Sequence, residues 1–141
     1  MKMRLPRVLN RIEPARFLKF CLVGLSGVAA NEGLFYTLTR FLGVYDLISL
    51  AVSTEASILS NFVLNELWTF RDKAGSAMGI LRRMLKYQAI CVGGLVISYG
   101  IYLLFTRIFQ VYDLLSLLFG IIGATVWNYC MSLMWAWKGG K

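Results

Sequence analysis

Val44-Tyr45-Asp46-Leu47 returns 67 residues later as Val111-Tyr112-Asp113-Leu114, and the match runs on in both directions without a gap. Arg16-Phe17-Leu18-Lys19 falls on Arg83-Met84-Leu85-Lys86, Thr39-Arg40 on Thr106-Arg107, Asn61 on Asn128 and Trp68 on Trp135. Fifteen of the 56 pairs from Arg16 to Arg71 are identical, and most of the rest exchange one apolar residue for another. The period exceeds that of the common soluble solenoid repeats. Each copy holds two long apolar stretches, which makes it a membrane helix hairpin. Two spans return the chain to its starting side, so both copies take one orientation. That is a parallel repeat about an axis along the membrane normal, a plan that transporters use. The expected fold is all-α: four transmembrane helices as two parallel-repeat hairpins over 16–71 and 83–138, with a basic arm at 1–15 and a loop at 72–82.

Composition supports the same class. Of the 141 residues 58% are hydrophobic, and the mean hydropathy is +0.65. A span needs roughly 20 apolar residues. Four segments qualify: Phe17 to Phe41, Leu47 to Phe70, Met84 to Phe109 and Leu114 to Trp137. They leave no room for a soluble catalytic domain. The first stretch is too long for the apolar core of a signal peptide and lacks a clear cleavage site, so it is expected to remain as a span.

Charge placement gives an orientation. Thirteen Lys and Arg lie in the arm, the middle connection and the tail, against Arg40 and Arg107 at the other two turns. The positive-inside rule then puts both termini in the cytoplasm of a multi-pass inner-membrane protein. The arm either rests on anionic lipid or serves only as a topology signal. Membrane topology accounts for the net charge of +8, so nucleic-acid binding is not expected. Cys21, Cys91 and Cys130 all lie within spans and suit no metal site, and there is no His. No metal or cofactor is expected. Without a nucleophile, base and orienter set, or a glycine-rich phosphate loop, neither is an enzyme.

Small residues four apart (Ser26 and Ala30, Ala29 and Gly33, Gly94 and Ser98, Gly120 and Ala124) are expected to pack helix on helix. Trp68, Trp135 and Trp137 at one end of the spans, and Tyr45 and Tyr112 at the other, read as interface-belt residues.

Ionisable groups at membrane depth are a functional hypothesis by default. Glu32, Glu55 and Glu66 qualify, and Glu55 and Glu66, eleven apart, are expected on one helix face. A neighbouring stripe carries Ser57, Asn61, Asn65 and Trp68, repeated in part as Asn128, Ser132 and Trp135. Asn61 and Asn128 read either as glue between helices or as part of a polar path. The three acids become Tyr99, Ile122 and Leu133 in the second copy. A purely structural feature should appear twice, so these favour a site on the first copy. The alternative is a set of protonated glutamates bonded inside the bundle. The basic residues do repeat. Arg16 and Lys19, like Arg83 and Lys86, open a span, where a helix amino terminus with cations beside it suits a phosphate. With Arg71 they are the candidate phosphate-binding set. Plain anchoring by snorkelling is the alternative.

The segment Asn61-Phe-Val-Leu-Asn65-Glu-Leu-Trp68-Thr-Phe70-Arg71, with Arg16-Phe-Leu-Lys-Phe20 and Val23-Gly24 before it, resembles the GtrA-like family. Asn128 to Lys138 looks like that family's second-half counterpart, departing from it at Ser132 and Leu133, where a basic residue is expected. The resemblance covers Arg16 to Lys138. It implies a small four-helix membrane protein of cell-surface polysaccharide synthesis that moves polyprenyl-phosphate-linked sugars. It also implies a polyprenyl phosphate or its glycosylated form as ligand, beside a membrane glycosyltransferase. Arg16, Lys19, Arg71, Arg83 and Lys86 would then hold the lipid phosphate. Glu32, Glu55, Asn61, Asn65, Glu66 and Asn128 would line the sugar's path. Four helices scarcely enclose such a path, so a homo-oligomer in membrane lipid is expected. Two other readings stand beside translocation: a non-catalytic partner that anchors or positions a glycosyltransferase, and a small proton-coupled exporter, against which the repeat argues.

Overall fold

The structure is a computed structural model that describes residues 13–138; most of the basic arm lies outside the described residues. Helix α1 spans Pro14–Tyr36, α2 Asp46–Leu64, α3 Ile80–Leu103 and α4 Asp113–Met131. Every helix continues into one wide turn of π geometry: Thr37–Phe41, Asn65–Thr69, Leu104–Ile108 and Ser132–Ala136. With those turns, the four are long and apolar enough to cross a membrane. Among the described residues there is no strand. The protein is an integral, multi-pass membrane protein.

Local chemistry sets the helix boundaries. Pro14 opens α1 from the first turn, where its missing N–H and fixed φ cost nothing. Pro14 and Ala15 are thus helical. Asp46 and Asp113 start α2 and α4, an acid at the positive end of the helix dipole. The turns before them need a left-handed residue. Gly43 supplies it at φ 63 in the first hairpin, and Gln110 takes the same place at φ 53 in the second. Between the hairpins, the chain makes short 3-10 turns at Arg71–Lys73 and Ala77–Gly79, the latter leading straight into α3.

The chain divides into two compact units between Ala74 and Gly75. In the first, α1 packs on α2; in the second, α3 packs on α4. The two are built alike to the residue. Helix α1 buries Arg16, Phe20, Val23 and Gly27, and α3 buries Arg83, Tyr87, Ile90 and Gly94, each 67 positions on. The edge-to-face pair Phe20–Phe70, 6.2 Å between centroids, returns as Tyr87–Trp137 at 5.7 Å. Trp137, expected at the membrane interface, is instead 1% exposed. Its counterpart Phe70 is buried too, because the wide turn before each rotates that side chain back onto the first helix of the hairpin.

The seams are small and polar. Ser49, Ser53 and Ser57 line the inner stripe of α2, spaced four apart. Association in lipid depends on close packing and hydrogen bonds, because lipid tails are as apolar as leucine. Ser57 Oγ donates to the Gly27 carbonyl at 2.7 Å. The Asn61 amide lies where a Cβ on Gly27 would stand, and Asn128 does the same at Gly94. Gly120 approaches the Ser98 carbonyl as closely. The pairs expected from small-residue spacing in α1 are not the packing residues. Ser26, Ala29, Ala30 and Gly33 all face outward from their hairpin, and Gly27 makes the close approach. The outer surfaces carry the large apolar side chains, Leu18, Leu25, Leu47 and Leu95 among them.

Candidate functional site

Two grooves border the first hairpin, one at each end. The larger, of about 560 Å³, is lined by the first turns of α1 and by the wide turn and following residues after α2. Arg16 forms its floor. Its Nη1 donates to Asp72 Oδ1 at 2.6 Å and to the Thr69 carbonyl at 3.0 Å; its Nη2 donates to Asp72 Oδ2 at 2.8 Å and to Glu13 Oε2 at 3.1 Å. The guanidinium also lies over Phe70, 5.8 Å from the ring centre. A planar fork on a carboxylate is among the stronger polar contacts. The hydrogen bond from Arg16 holds the Asp72 carboxyl below the usual carboxylate range.

Among the described residues, the other two cations of this groove have no such partner. Lys19 Nζ lies over the Trp68 ring at 5.5 Å. Arg71 is exposed and lines the same wall. Three cations face two acids, Glu13 and Asp72, and both acids are held by Arg16. Lys19 and Arg71 are left able to take an anion.

The second hairpin repeats part of this. Lys86 lies over Trp135 at 5.5 Å and also donates to the Trp135 carbonyl at 3.1 Å. Arg83 is buried, reaches toward the Ser76 carbonyl at 3.5 Å and lies against Gly79. The sequence positions matching Glu13 and Asp72 are Ile80 and Gly139, so the acids of the first copy have no counterpart.

The expected polar path is spread along the whole hairpin. Glu66 and Asn65 are buried in the wide turn after α2, at the Arg16 end. Glu55 is exposed, so the two glutamates of α2 have different surroundings. Asn61 and Asn128 sit in the seams of their own hairpins, each with an enclosed Oδ1 that accepts no hydrogen bond. Glu32 belongs to the smaller groove, about 330 Å³, with Phe35, Tyr36, Thr39, Arg40 and Asp46. Among the described residues, no group of three His, Cys, Asp or Glu is placed to hold a metal ion.

Sequence reasoning does not find Asp72 as the partner of Arg16. The two are 56 residues apart, and an acid in a charged loop carries no signal of its own. Arg40 and Asp46 escape it as well, although both recur in the repeat, because an Arg and an Asp flanking a turn read as ordinary helix ends.

Comparison with known proteins follows the same lines. The family model described as GtrA/DPMS, transmembrane domain, matches residues 19–137. A dolichol-phosphate mannosyltransferase of Pyrococcus furiosus is 39% identical over 88 residues, which cover 62% of this chain and 24% of that protein. The chain therefore matches about a quarter of that relative's length.

Proposed function

Since the chain belongs to the GtrA/DPMS transmembrane-domain family, we propose that it moves a polyprenyl-phosphate-linked sugar across the inner membrane for cell-surface glycan synthesis. The observation that carries this is the larger groove, where Lys19 and Arg71 face an open space beside the exposed Trp68 ring. A phosphate in the headgroup layer would bind there through charge-assisted hydrogen bonds, with its prenyl chain along the apolar outer face of the hairpin. The sugar must leave water, and each unpaired hydroxyl in an apolar medium costs roughly 2–7 kcal/mol. Polar side chains of α1 and α2 would supply replacement bonds in turn. In this reading both termini are cytoplasmic, the chain performs no bond-making chemistry, and copies associate to close the path.

A second reading is favoured by the similarity to a fragment of a mannosyltransferase. The chain would then anchor or position a membrane glycosyltransferase without moving lipid itself. Reconstitution separates the two. The purified protein alone, in liposomes carrying a fluorescent polyprenyl-phosphate sugar in one leaflet, should equilibrate it between leaflets. No movement alone, with raised activity of a co-reconstituted glycosyltransferase, would leave the anchoring reading.

A further inference from the structure

The smaller groove has a composition unlike the rest of the outer surface. Glu32, Arg40 and Asp46 line it together with the exposed Tyr36. Among the described residues none of the three charged groups is in an ion pair with another, although they share one concave surface. Two acids and one cation that face the same space unpaired leave both donors and acceptors available to a ligand. The Tyr36 ring, braced edge-on by Phe41 at 5.8 Å, adds a flat apolar wall of the kind sugar rings stack on.

Position adds a second argument. Glu32 is 16 residues along α1 from Arg16, about 24 Å at the rise of a helix, against a hydrocarbon layer of about 30 Å. The two grooves therefore stand near opposite faces of the bilayer. Both are bordered by a wide π turn, Asn65–Thr69 at one and Thr37–Phe41 at the other, and such turns are frequent at functional sites. A groove on the second hairpin has Tyr99 where Glu32 would be, and is lined with Leu95, Tyr102 and Leu117. The charged groove is thus a property of the first copy alone.

We propose that the groove of Glu32, Tyr36, Arg40 and Asp46 is a second headgroup site, selective for a glycosylated phosphate over the bare phosphate. This rests on the lipid-linked sugar reading above. Arg40 meets the phosphate, and the carboxylates of Glu32 and Asp46 accept hydroxyl hydrogens from the sugar. The selectivity follows from charge. A phosphate monoester carries about −1.5 to −2 at neutral pH, and a groove with two acids to one cation repels it. Attaching the sugar makes a diester with a single negative charge and adds the donors that the two carboxylates lack. The Arg16 groove, with three cations to two acids, carries the opposite bias. The two ends of one hairpin therefore favour different members of the same lipid pair.

The test measures binding of the full-length protein in detergent to citronellyl phosphate and to citronellyl phosphoglucose. Glu32→Gln or Asp46→Asn should weaken the phosphoglucose about ten-fold, one charged hydrogen bond's worth, and leave the bare phosphate bound as before or tighter. Arg40→Gln should weaken the phosphoglucose as well. All three side chains are exposed, so melting temperatures should stay at the wild-type value. If wild type binds the phosphoglucose and the acid variants bind it equally well, the second site is overturned and the lipid-linked reading stands. If wild type binds neither probe, both fall.

Discussion

Asp72 takes both terminal nitrogens of Arg16 across 56 residues of chain, at 2.6 and 2.8 Å, and ties the loop after α2 to the first turn of α1. The contact closes the first hairpin at that end. It also occupies the basic residue that the sequence marks as a phosphate ligand.

Replacing Asp72 with Asn should lower hairpin stability by about 1 kcal/mol, the ordinary net worth of such a bond, reduced because the Asp72 side chain is 59% exposed. The pH dependence has a definite sign. Because the folded carboxyl titrates lower than the unfolded one, its stabilisation is full above the unfolded value of about 3.9 and lost as pH falls through the folded one. Thermal melts in detergent should show wild type losing its advantage over Asp72→Asn below about pH 4. A constant difference down to about pH 2 would mean that the pair does not act through charge.

Arg16 should be the poorest choice for testing phosphate binding. Arg16→Gln strips partners from Thr69, Glu13 and Asp72 at once, and is expected to cost stability first. Lys19→Gln with Arg71→Gln touches neither acid. That double variant should bind polyprenyl phosphate at least about ten-fold more weakly, because two charge-assisted hydrogen bonds to the phosphate disappear, with an unchanged melting temperature. Equal binding would leave Lys19 and Arg71 as anchors in the headgroup layer.

Gly27→Ala should destabilise the first hairpin by about 1–3 kcal/mol, the usual range for overpacking a tight seam, because the new methyl meets the Asn61 amide. The same change after Asn61→Ala should cost much less. Gly94→Ala and Asn128→Ala should repeat that coupling in the second hairpin. Additive effects in this double-mutant cycle would show that the amide and the glycine do not share the space.

Gln110 holds a left-handed backbone that Gly43 holds in the first copy. Gln110→Gly should raise stability by about 1 kcal/mol, relieving the cost of a side chain in that conformation. A melting temperature at or below wild type would indicate that the Gln110 side chain contributes interactions of its own.

The 67-residue repeat made the four spans and the hairpin boundaries readable, because apolar length and duplicated motifs survive in a linear string. What the string hides is which small residue faces its partner. Ser26, Gly27, Ala29 and Ala30 look alike by spacing, and only the packed hairpin selects Gly27. The wide turns are hidden as well. One extra residue per turn shifts the phase of everything after it, which is why Trp137 points inward from an expected belt position and why Glu66 is buried while Glu55 is exposed. Of the candidate site, Lys19, Arg71 and Glu32 were legible as charges at membrane depth. The splitting of the polar residues into two separate grooves was not, because it depends on long-range packing within the hairpin.

The four wide turns make each span mechanically graded. Along α1 and α2 the ordinary ladder holds, clamped by the serine seam. At the far end of each helix the bond reaches one residue further, as from the Phe70 N–H to the Asn65 carbonyl and from Trp137 to Ser132. Those last turns are the places where local opening takes the least disruption of packed structure. Both grooves of the first hairpin use such a turn as a wall. Their mouths can therefore widen for an incoming headgroup by yielding locally, like the soft lip of a stiff tube, while the helix axes keep their places.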